Sequence, residues 1–491
     1  MCYIALNVEK LAFYGIIFIW ILNNIIEGDF MKYDKKNIFE VTNKYEQENM
    51  YSYVDEYIKF IDYAKTEYKC VEYIVRELEE NGFKDLNKVD KLSIGDKVYY
   101  INKARSLFAA VIGKQEIQKG INIIGAHIDS PRLDTKPMPL FEKQGLALMK
   151  TQYYGGIKKY QWLAIPLAMY GRIYNSKGEE IDVVLGEDAD DYTFVITDLL
   201  PHLGKEEQAK KASDFIDPEN LNVVVGSIPD VDEKESKIKT KILKELNRKY
   251  GINEIDFARS DIRFVPSFKA KYVGIDKGLV AAYGHDDRVC SYATIAALIN
   301  SAKEANSLNK TSVAVIVDKD EIGSEGNTSM SSDAFELFVS KLLRLKGENS
   351  NIEGILETFN NSCMLSADVS AAIDPMHEHL SDVQNGNVIG CGLSIEKYTG
   401  SGGKYSANDA SAKFMSKVMT IFDKANVVYQ IGTLGKIGKG GGGTIAYILA
   451  NKGIEVVDCG TALLSMHSPY ELASVGDIYM TYKGYKAFFN N

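Results

Sequence analysis

Apolar positions in residues 51–82 fall mostly three or four apart: Val54, Ile58, Ile61, Ala64, Val71, Ile74, Val75 and Leu78. That spacing predicts a helix, closed by Asn81-Gly82. Short strands are expected at 97–101 and 107–112. Residues 121–126 form a mostly apolar run, as in a parallel strand buried on both faces. From about Leu133 to Val273 the pattern changes. Apolar runs shorten, and Tyr153-Tyr-Gly-Gly156, Gly171, Asn175 and Gly178 punctuate them like hairpin turns. The stretch 205–247 is strongly charged and reads as helix and loop. Beyond Gly274 strands and helices alternate again. An amphipathic helix is expected at 288–305, a buried strand at 312–317, a helix at 335–345 and a strand at 364–367. A helix at 408–425, a strand at 427–431, a helix at 444–451, a strand at 454–457 and a terminal helix at 470–489 follow. The alternation predicts an α/β fold whose main domain has a central mixed, mostly parallel sheet flanked by helices. A β-rich insertion interrupts it. The expected boundaries are 31–135 and 274–491 for the main domain and 136–273 for the insertion.

Composition narrows the class. The chain has 491 residues, more than the length prior for one domain, with 45% hydrophobic and 25% charged residues, ordinary for a soluble globular protein. A formal net charge of −10 and no basic stripe argue against a nucleic-acid partner. Cys2, Cys70, Cys290, Cys363, Cys391 and Cys459 are far apart and form no C-x-x-C pair. In a chain of this size they read as buried thiols of a reducing cytoplasm. Residues 11–26 are apolar and aromatic, but Asn23 and Asn24 interrupt them, and the run is short for a membrane span. With Lys10 as the only basic flank and no cleavage site, it is also a poor signal peptide. Residues 1–30 are therefore read as an N-terminal extension ahead of Met31, with a membrane anchor as the minority alternative.

Five metal-ligand side chains each follow an apolar run that reads as a strand: His127, Asp286, Glu321, Asp368 and His467. Histidine is scarce, with six in the whole chain, so two within such a set carry weight. Two imidazoles and three carboxylates suit a pair of divalent ions, zinc first, with manganese or cobalt as alternatives. Asp286 is the candidate bridge between two cations. Asp287 beside it has the position of a helix N-cap. Asp129, two residues after His127, can hold that imidazole through its other nitrogen. Asp320 stands next to Glu321 as a candidate general base for hydrolysis. His377 and His379 form an H-x-H in an expected loop and fall outside the set. The glycine-rich loop 438–444 opens a helix and offers backbone amides to a peptide carbonyl or an anion. Its Lys and Thr do not fit a P-loop.

The motifs His127-Ile-Asp129-Ser-Pro, His285-Asp-Asp-Arg, Asp320-Glu321-Ile-Gly-Ser, Ser366-Ala-Asp368 and Met466-His467-Ser resemble, in order, those of the aspartyl aminopeptidase and aminopeptidase I family of co-catalytic di-metal aminopeptidases. The resemblance spans roughly residues 32–491. It implies two metal ions on His127, Asp286, Glu321, Asp368 and His467, a base at Asp320, and hydrolysis of the first residue from peptides. It further implies a homo-oligomer, a tetrahedral dodecamer, built through the inserted domain. A histidine there would reach a neighbour's active site, and His202 in Asp198-Leu-Leu-Pro-His202 matches its place. Gly403-Lys404-Tyr405-Ser406 resembles a segment near the family's substrate pocket. Many members carry Glu where this chain has Asp320, one methylene shorter. Two other readings stay open at this point: a catalytically weak metal- or peptide-binding assembly protein, and a di-metal amide deacylase.

Overall fold

The computed structural model describes residues 33–188, 190–400, 402–439 and 441–491. The expected extension at 1–30 lies outside the described residues. Among them, no helix is long and apolar enough to cross a membrane.

Among the described residues, nine strands form the central sheet. From one edge they run Lys84–Asp85, Lys97–Asn102, Ser106–Val111, Ser312–Val317, Asn122–His127, Cys363–Ser366, Glu455–Gly460, Leu393–Glu396 and Tyr429–Gly432. The middle four are mutually parallel, so their carboxyl ends open on one side. Antiparallel pairings flank them, at Ser106–Val111 with Ser312–Val317 and at Glu455–Gly460 with Leu393–Glu396. The period of two divides the central strands between two cores. Ile124, Ala126, Ala314, Ile316 and Leu365 face one; Ile123, Val313, Val315, Val317 and Met364 face the other. Helices Lys44–Tyr63, His285–Ser301, Ala412–Lys424 and Val475–Phe489 cover the first face, and Ala334–Lys346, Ile352–Asn360 and Ala446–Ala450 cover the second. Each fully buried Val, Leu or Ile there contributes roughly 1.5–3 kcal/mol.

A second sheet has six antiparallel strands in the order Glu180–Leu185, Leu167–Tyr174, Ser260–Pro266, Arg132–Lys143, Leu146–Tyr154 and Asn222–Gly226. It has its own apolar cluster, with Trp162, Phe194 and Phe264 buried in it. All its strands lie between His127 and Asp286 in the chain. A third, five-stranded sheet runs Lys271–Val273, Leu279–Ala282, Glu471–Ser474, Ala462–Leu464 and Ser370–Ala371.

Several local expectations change. The helical stretch 51–82 is two helices, Lys44–Tyr63 and Glu67–Glu80. The break follows from Lys65, which is buried; its Nζ reaches Glu187 at 2.8 Å and the carbonyls of Pro266 and Phe268 at 3.0 and 3.1 Å. Thr66 then caps the second helix. The helix expected at 288–305 is His285–Ser301, and it is buried on most sides rather than amphipathic. The terminal helix begins only at Val475, because Glu471–Ser474 pairs with Leu279–Ala282 as a strand. The charged stretch 205–247 includes an unexpected strand, Asn222–Gly226, and the helix Ile352–Asn360 and the strand Leu393–Glu396 had no periodic signal long enough to read.

Candidate metal centre

Two strand systems deliver the candidate ligands. His127 ends its strand in the central sheet, and register pairs it with Val317 on the neighbouring strand. The chain beyond Val317 turns through Asp318 and Lys319 into a short turn at Asp320–Ile322, which carries Glu321. Asp368 lies two residues beyond Cys363–Ser366. A Cβ at Gly460 would lie 1.8 Å from the Asp368 carbonyl oxygen, so only glycine lets that segment pass so close. Asp286 and His467 come from the third sheet, just beyond Leu279–Ala282 and Ala462–Leu464. Strand ends of an open α/β sheet are the usual place for such a site, yet two of the five residues here reach it from elsewhere.

The five side chains converge in two groups that share one residue. His127, Asp286 and Asp368 form one group, and Asp286, Glu321 and His467 form the other, with ligand atoms within 4.8 Å of one another in each. His127 Nε2 lies 3.2 Å from Asp286 Oδ1 and 3.9 Å from Asp368 Oδ1. His467 Nε2 lies 3.1 Å from Asp286 Oδ2 and 3.5 Å from Glu321 Oε2. The two oxygens of Asp286 thus face one imidazole each. Both rings are oriented through their other nitrogen. His127 Nδ1 meets the Asp129 carbonyl at 3.1 Å and its carboxylate at 3.2 Å. His467 Nδ1 meets the Gly156 carbonyl at 3.0 Å. With Nδ1–H donating, each Nε2 is the nitrogen that would meet a cation, giving up the proton it shares with Asp286.

The residues between these groups are held by backbone contacts. Asp129 Oδ1 accepts from the Asp320 amide and Oδ2 from the Glu321 amide, both at 3.1 Å. The Tyr154 hydroxyl donates to Asp129 Oδ2 at 2.8 Å. Glu471, fully buried, accepts from the His467 amide at 2.7 Å and the Asp286 amide at 3.1 Å. It joins the two loops of the third sheet. His467 has φ 64°, a left-handed conformation that needs such an anchor. Ser130 donates to the Asp286 carbonyl at 2.6 Å, and Ser291 to the His127 carbonyl at 2.7 Å. Asp287 does not cap the helix; its Oδ2 accepts from the His127 amide at 3.2 Å and fixes the end of that strand. Asp320 Oδ1 accepts from the Ser324 hydroxyl at 2.7 Å, and Oδ2 lies 3.9 Å from His127 Nε2.

The electrostatics describe a site short of positive charge. Burial pushes the carboxyls of Glu321, Asp368 and Asp320 up, and neighbouring acids add to it. Burial would also raise Asp286, but hydrogen bonds from His127 and His467 outweigh it and hold that carboxyl below its ordinary range. Burial would lower His467, yet the contact with Asp286 and the charge of Glu321 carry it up to about 10. Among the described residues, Glu321 Oε1 is buried with no hydrogen-bond partner. Divalent cations would supply the missing charge and use that oxygen, so this donor set fits zinc, manganese or cobalt.

Other candidates lie apart from the cluster. His285 is buried, takes the Tyr57 hydroxyl at Nδ1 (2.7 Å) and meets the Val280 carbonyl through Nε2 (3.1 Å). Burial lowers it to about 4, so it packs as a neutral ring. His202 is exposed and belongs to neither group. His377 and His379 are exposed, with His377 Nδ1 3.5 Å from Asp374 Oδ2. Lys404 pairs with Asp409 at 2.9 Å and lies over the Tyr398 ring. Lys404 and Gly438 line one cavity of about 650 Å³, and none of the five clustered residues lines it. Tyr154, Glu471, Ser130 and Ser324 were not read as site residues from sequence; Ser130 and Ser324 stood inside the quoted motifs and Tyr154 in a turn, each without an assigned role.

The family description "Aminopeptidase I zinc metalloprotease (M18)" matches residues 60–489. A probable M18 family aminopeptidase 1 from Clostridium acetobutylicum is 43% identical over 465 residues, covering 94% of this chain and 97% of the relative. The crystal structure of the M18 aminopeptidase from Thermotoga maritima superposes with a TM-score of 0.89 at 40% identity, covering 94% of this chain and all of that one. At 23% identity and a TM-score of 0.72, the dodecamer of S. cerevesiae mApe1 shares the fold, over 90% of this chain and 97% of that one. The chain belongs to the M18 aminopeptidase family and is a zinc metalloaminopeptidase, a hydrolase of peptide bonds.

Proposed function

We propose that this aminopeptidase removes the first residue of peptides with two divalent cations, zinc first and manganese or cobalt as alternatives. His127 and Asp368 would hold one, Glu321 and His467 the other, and Asp286 would bridge them. The observation that carries this reading is the contact of separate Asp286 oxygens with the two imidazoles, at 3.2 and 3.1 Å. Such cations, when bound, acidify coordinated water and polarise a carbonyl. Asp320 is the base: it takes the proton of the attacking water and returns it to the leaving amine. Ser324 holds one oxygen of Asp320, which leaves the other for that transfer. Asp129 positions the base, Glu321 and the His127 ring at once.

The same reading assigns 31–135 with 274–491 to the catalytic domain and 136–273 to an inserted oligomerisation domain. The assembly would be a homo-oligomer, a tetrahedral dodecamer, with His202 reaching a neighbour's site. In support, the related fold of mApe1 forms a dodecamer. Leu199, Leu200 and Leu203 beside His202 are 50%, 49% and 69% exposed in the single chain, apolar surface suited to a partner. The five buried free thiols at Cys70, Cys290, Cys363, Cys391 and Cys459 suit a cytoplasmic enzyme. The test is a panel of aminoacyl chromogenic substrates, run alongside metal analysis of the parent and Asp286→Ala. Loss of the bridge should abolish turnover and cut bound metal. Two ions per subunit with parental turnover in Asp286→Ala would refute the assignment.

A further inference from the structure

We propose that the inserted sheet completes the metal centre inside its own subunit. The turn Tyr154-Gly155-Gly156, at the end of the strand Leu146–Tyr154, clamps two of the ligand-bearing loops. This rests on the reading of His467, Glu321 and Asp129 given above, and it adds positioning residues to them.

Three contacts carry it. The Tyr154 hydroxyl donates to Asp129 Oδ2 at 2.8 Å, and the same oxygen accepts the Glu321 amide. The Gly156 carbonyl accepts from His467 Nδ1 at 3.0 Å, which turns Nε2 toward Asp286. Gly155 lies against Glu321, where a Cβ would come within 3.2 Å of Oε2; its φ of +75° also disfavours any side chain. Three consecutive residues thus touch or hold a ligand or the residue that positions one.

The turn itself is braced. The Arg132 guanidinium lies 3.7 Å from the centroid of the Tyr154 ring. Arg132 in turn pairs with buried Glu67 at 3.1 Å, which Arg263 and Arg105 reach at 2.7 and 3.3 Å. Glu67 comes from the helix Glu67–Glu80, Arg105 from the turn before Ser106–Val111, and Arg132 and Arg263 from the inserted sheet. One buried carboxylate therefore ties the inserted sheet to the main body directly behind the clamp. Partners that orient a metal's ligands are usually a carboxylate or carbonyl next to the ligand in the fold. Here a separate sheet supplies a carbonyl, and a phenol that holds the carboxylate.

Tyr154→Phe is the test, because it removes one hydroxyl and keeps the ring over Arg132. Zinc affinity is measured by competition with a chromogenic chelator, together with kcat, KM and light scattering. Zinc should bind about 10–100-fold more weakly and kcat should fall by a similar factor, with KM close to the parent's and the assembly intact. Gly156→Ala, whose Cβ would lie 3.2 Å from His467 Nδ1, should weaken zinc binding as well. A merely structural role would lower the melting temperature and leave the zinc affinity of the folded protein alone. Parental zinc affinity in both variants overturns the clamp. So does a loss of affinity that appears only on dilution, as subunits dissociate, because the support would then come from the assembly. Asp286→Ala, run in parallel, separates this from the metal assignment: if it loses zinc while Tyr154→Phe does not, only the clamp falls.

Discussion

Asp320→Asn isolates proton transfer from everything else Asp320 does. The substitution keeps the volume and the acceptor oxygen that Ser324 holds at 2.7 Å. The backbone amide keeps its bond to Asp129, so the turn carrying Glu321 is not released. What disappears is the charge and basicity of the oxygen 3.9 Å from His127 Nε2. A positioned general base contributes on the order of 10²–10⁴ in rate. At about 1.4 kcal/mol per decade, that corresponds to roughly 3–5 kcal/mol of barrier. The expected result is a fall in kcat of that size, with bound zinc and melting temperature unchanged. Initial rates on an aminoacyl chromogenic substrate, with metal content measured on the same samples, decide it. Metal content is essential because Glu321 is adjacent in sequence, and a disturbed ligand would imitate a lost base. An Asp320→Asn variant that turns over substrate like the parent with both ions bound would refute the role. Asp320→Glu should stay active, since the added methylene extends reach by about 1.5 Å and gives the side chain usual in the family.

Three further outcomes are expected. Exhaustive chelation should abolish hydrolysis, and added zinc should restore it; activity that survives in metal-free protein would contradict the metal centre. Glu67→Gln should cost about 3–5 kcal/mol, because breaking a buried ion pair leaves its partners without a counter-charge. Arg132 and Arg263 are both nearly inaccessible there, so an unshifted thermal melt would show that the cluster is not stabilising. His202→Ala should reduce turnover and leave bound metal unchanged if His202 acts across a subunit contact, and unchanged turnover would make it an ordinary surface residue.

The parts of the fold that were legible share one property: a local pattern sufficient to specify them. Ser312–Val317 is apolar after its first residue and buried on both faces, and its bounds match those expected from sequence. Ala334–Lys346 has regular helical spacing over more than three turns. The third sheet had no such signal. Its strands Lys271–Val273, Ala462–Leu464 and Ser370–Ala371 are two or three residues long and exist only through their pairings. The break at Lys65 was equally hidden, since the helical period runs across it and the cause is Glu187, more than a hundred residues away in the chain. At the site, residue type made the candidate ligands visible. Histidine and carboxylate beyond apolar runs are rare enough to notice, and the structure brings all five together. Asp287 shows where that reasoning stops: an acid at a helix start has the position of a cap, and only the fold reveals the His127 amide as its partner.

Asp129 apart, whose hold on the His127 ring was legible, the residues that hold the ligands were illegible for a related reason. Glu471, Asp287 and Asp129 act on backbone amides, and the Gly156 carbonyl is main chain itself. Any residue offers an amide or a carbonyl, so sequence carries no mark of these partnerships. Connectivity supplies what residue type does not. The inserted sheet leaves the main body at Arg132, five residues after His127, and its last strand ends at Pro266, before the strand Leu279–Ala282 that leads to Asp286. Its two ends therefore flank two ligand segments, and its Tyr154–Gly156 turn meets two more, at Glu321 and His467. Four of the five candidate ligands are thus next to the insertion in sequence or in space, whereas Asp368 sits between Cys363–Ser366 of the central sheet and Ser370–Ala371 of the third, against Gly460. A substitution that shifts the inserted sheet should disturb His127, Asp286, Glu321 and His467 together and leave Asp368 in place. The group containing Glu321 and His467 should then lose its ion before the group containing Asp368.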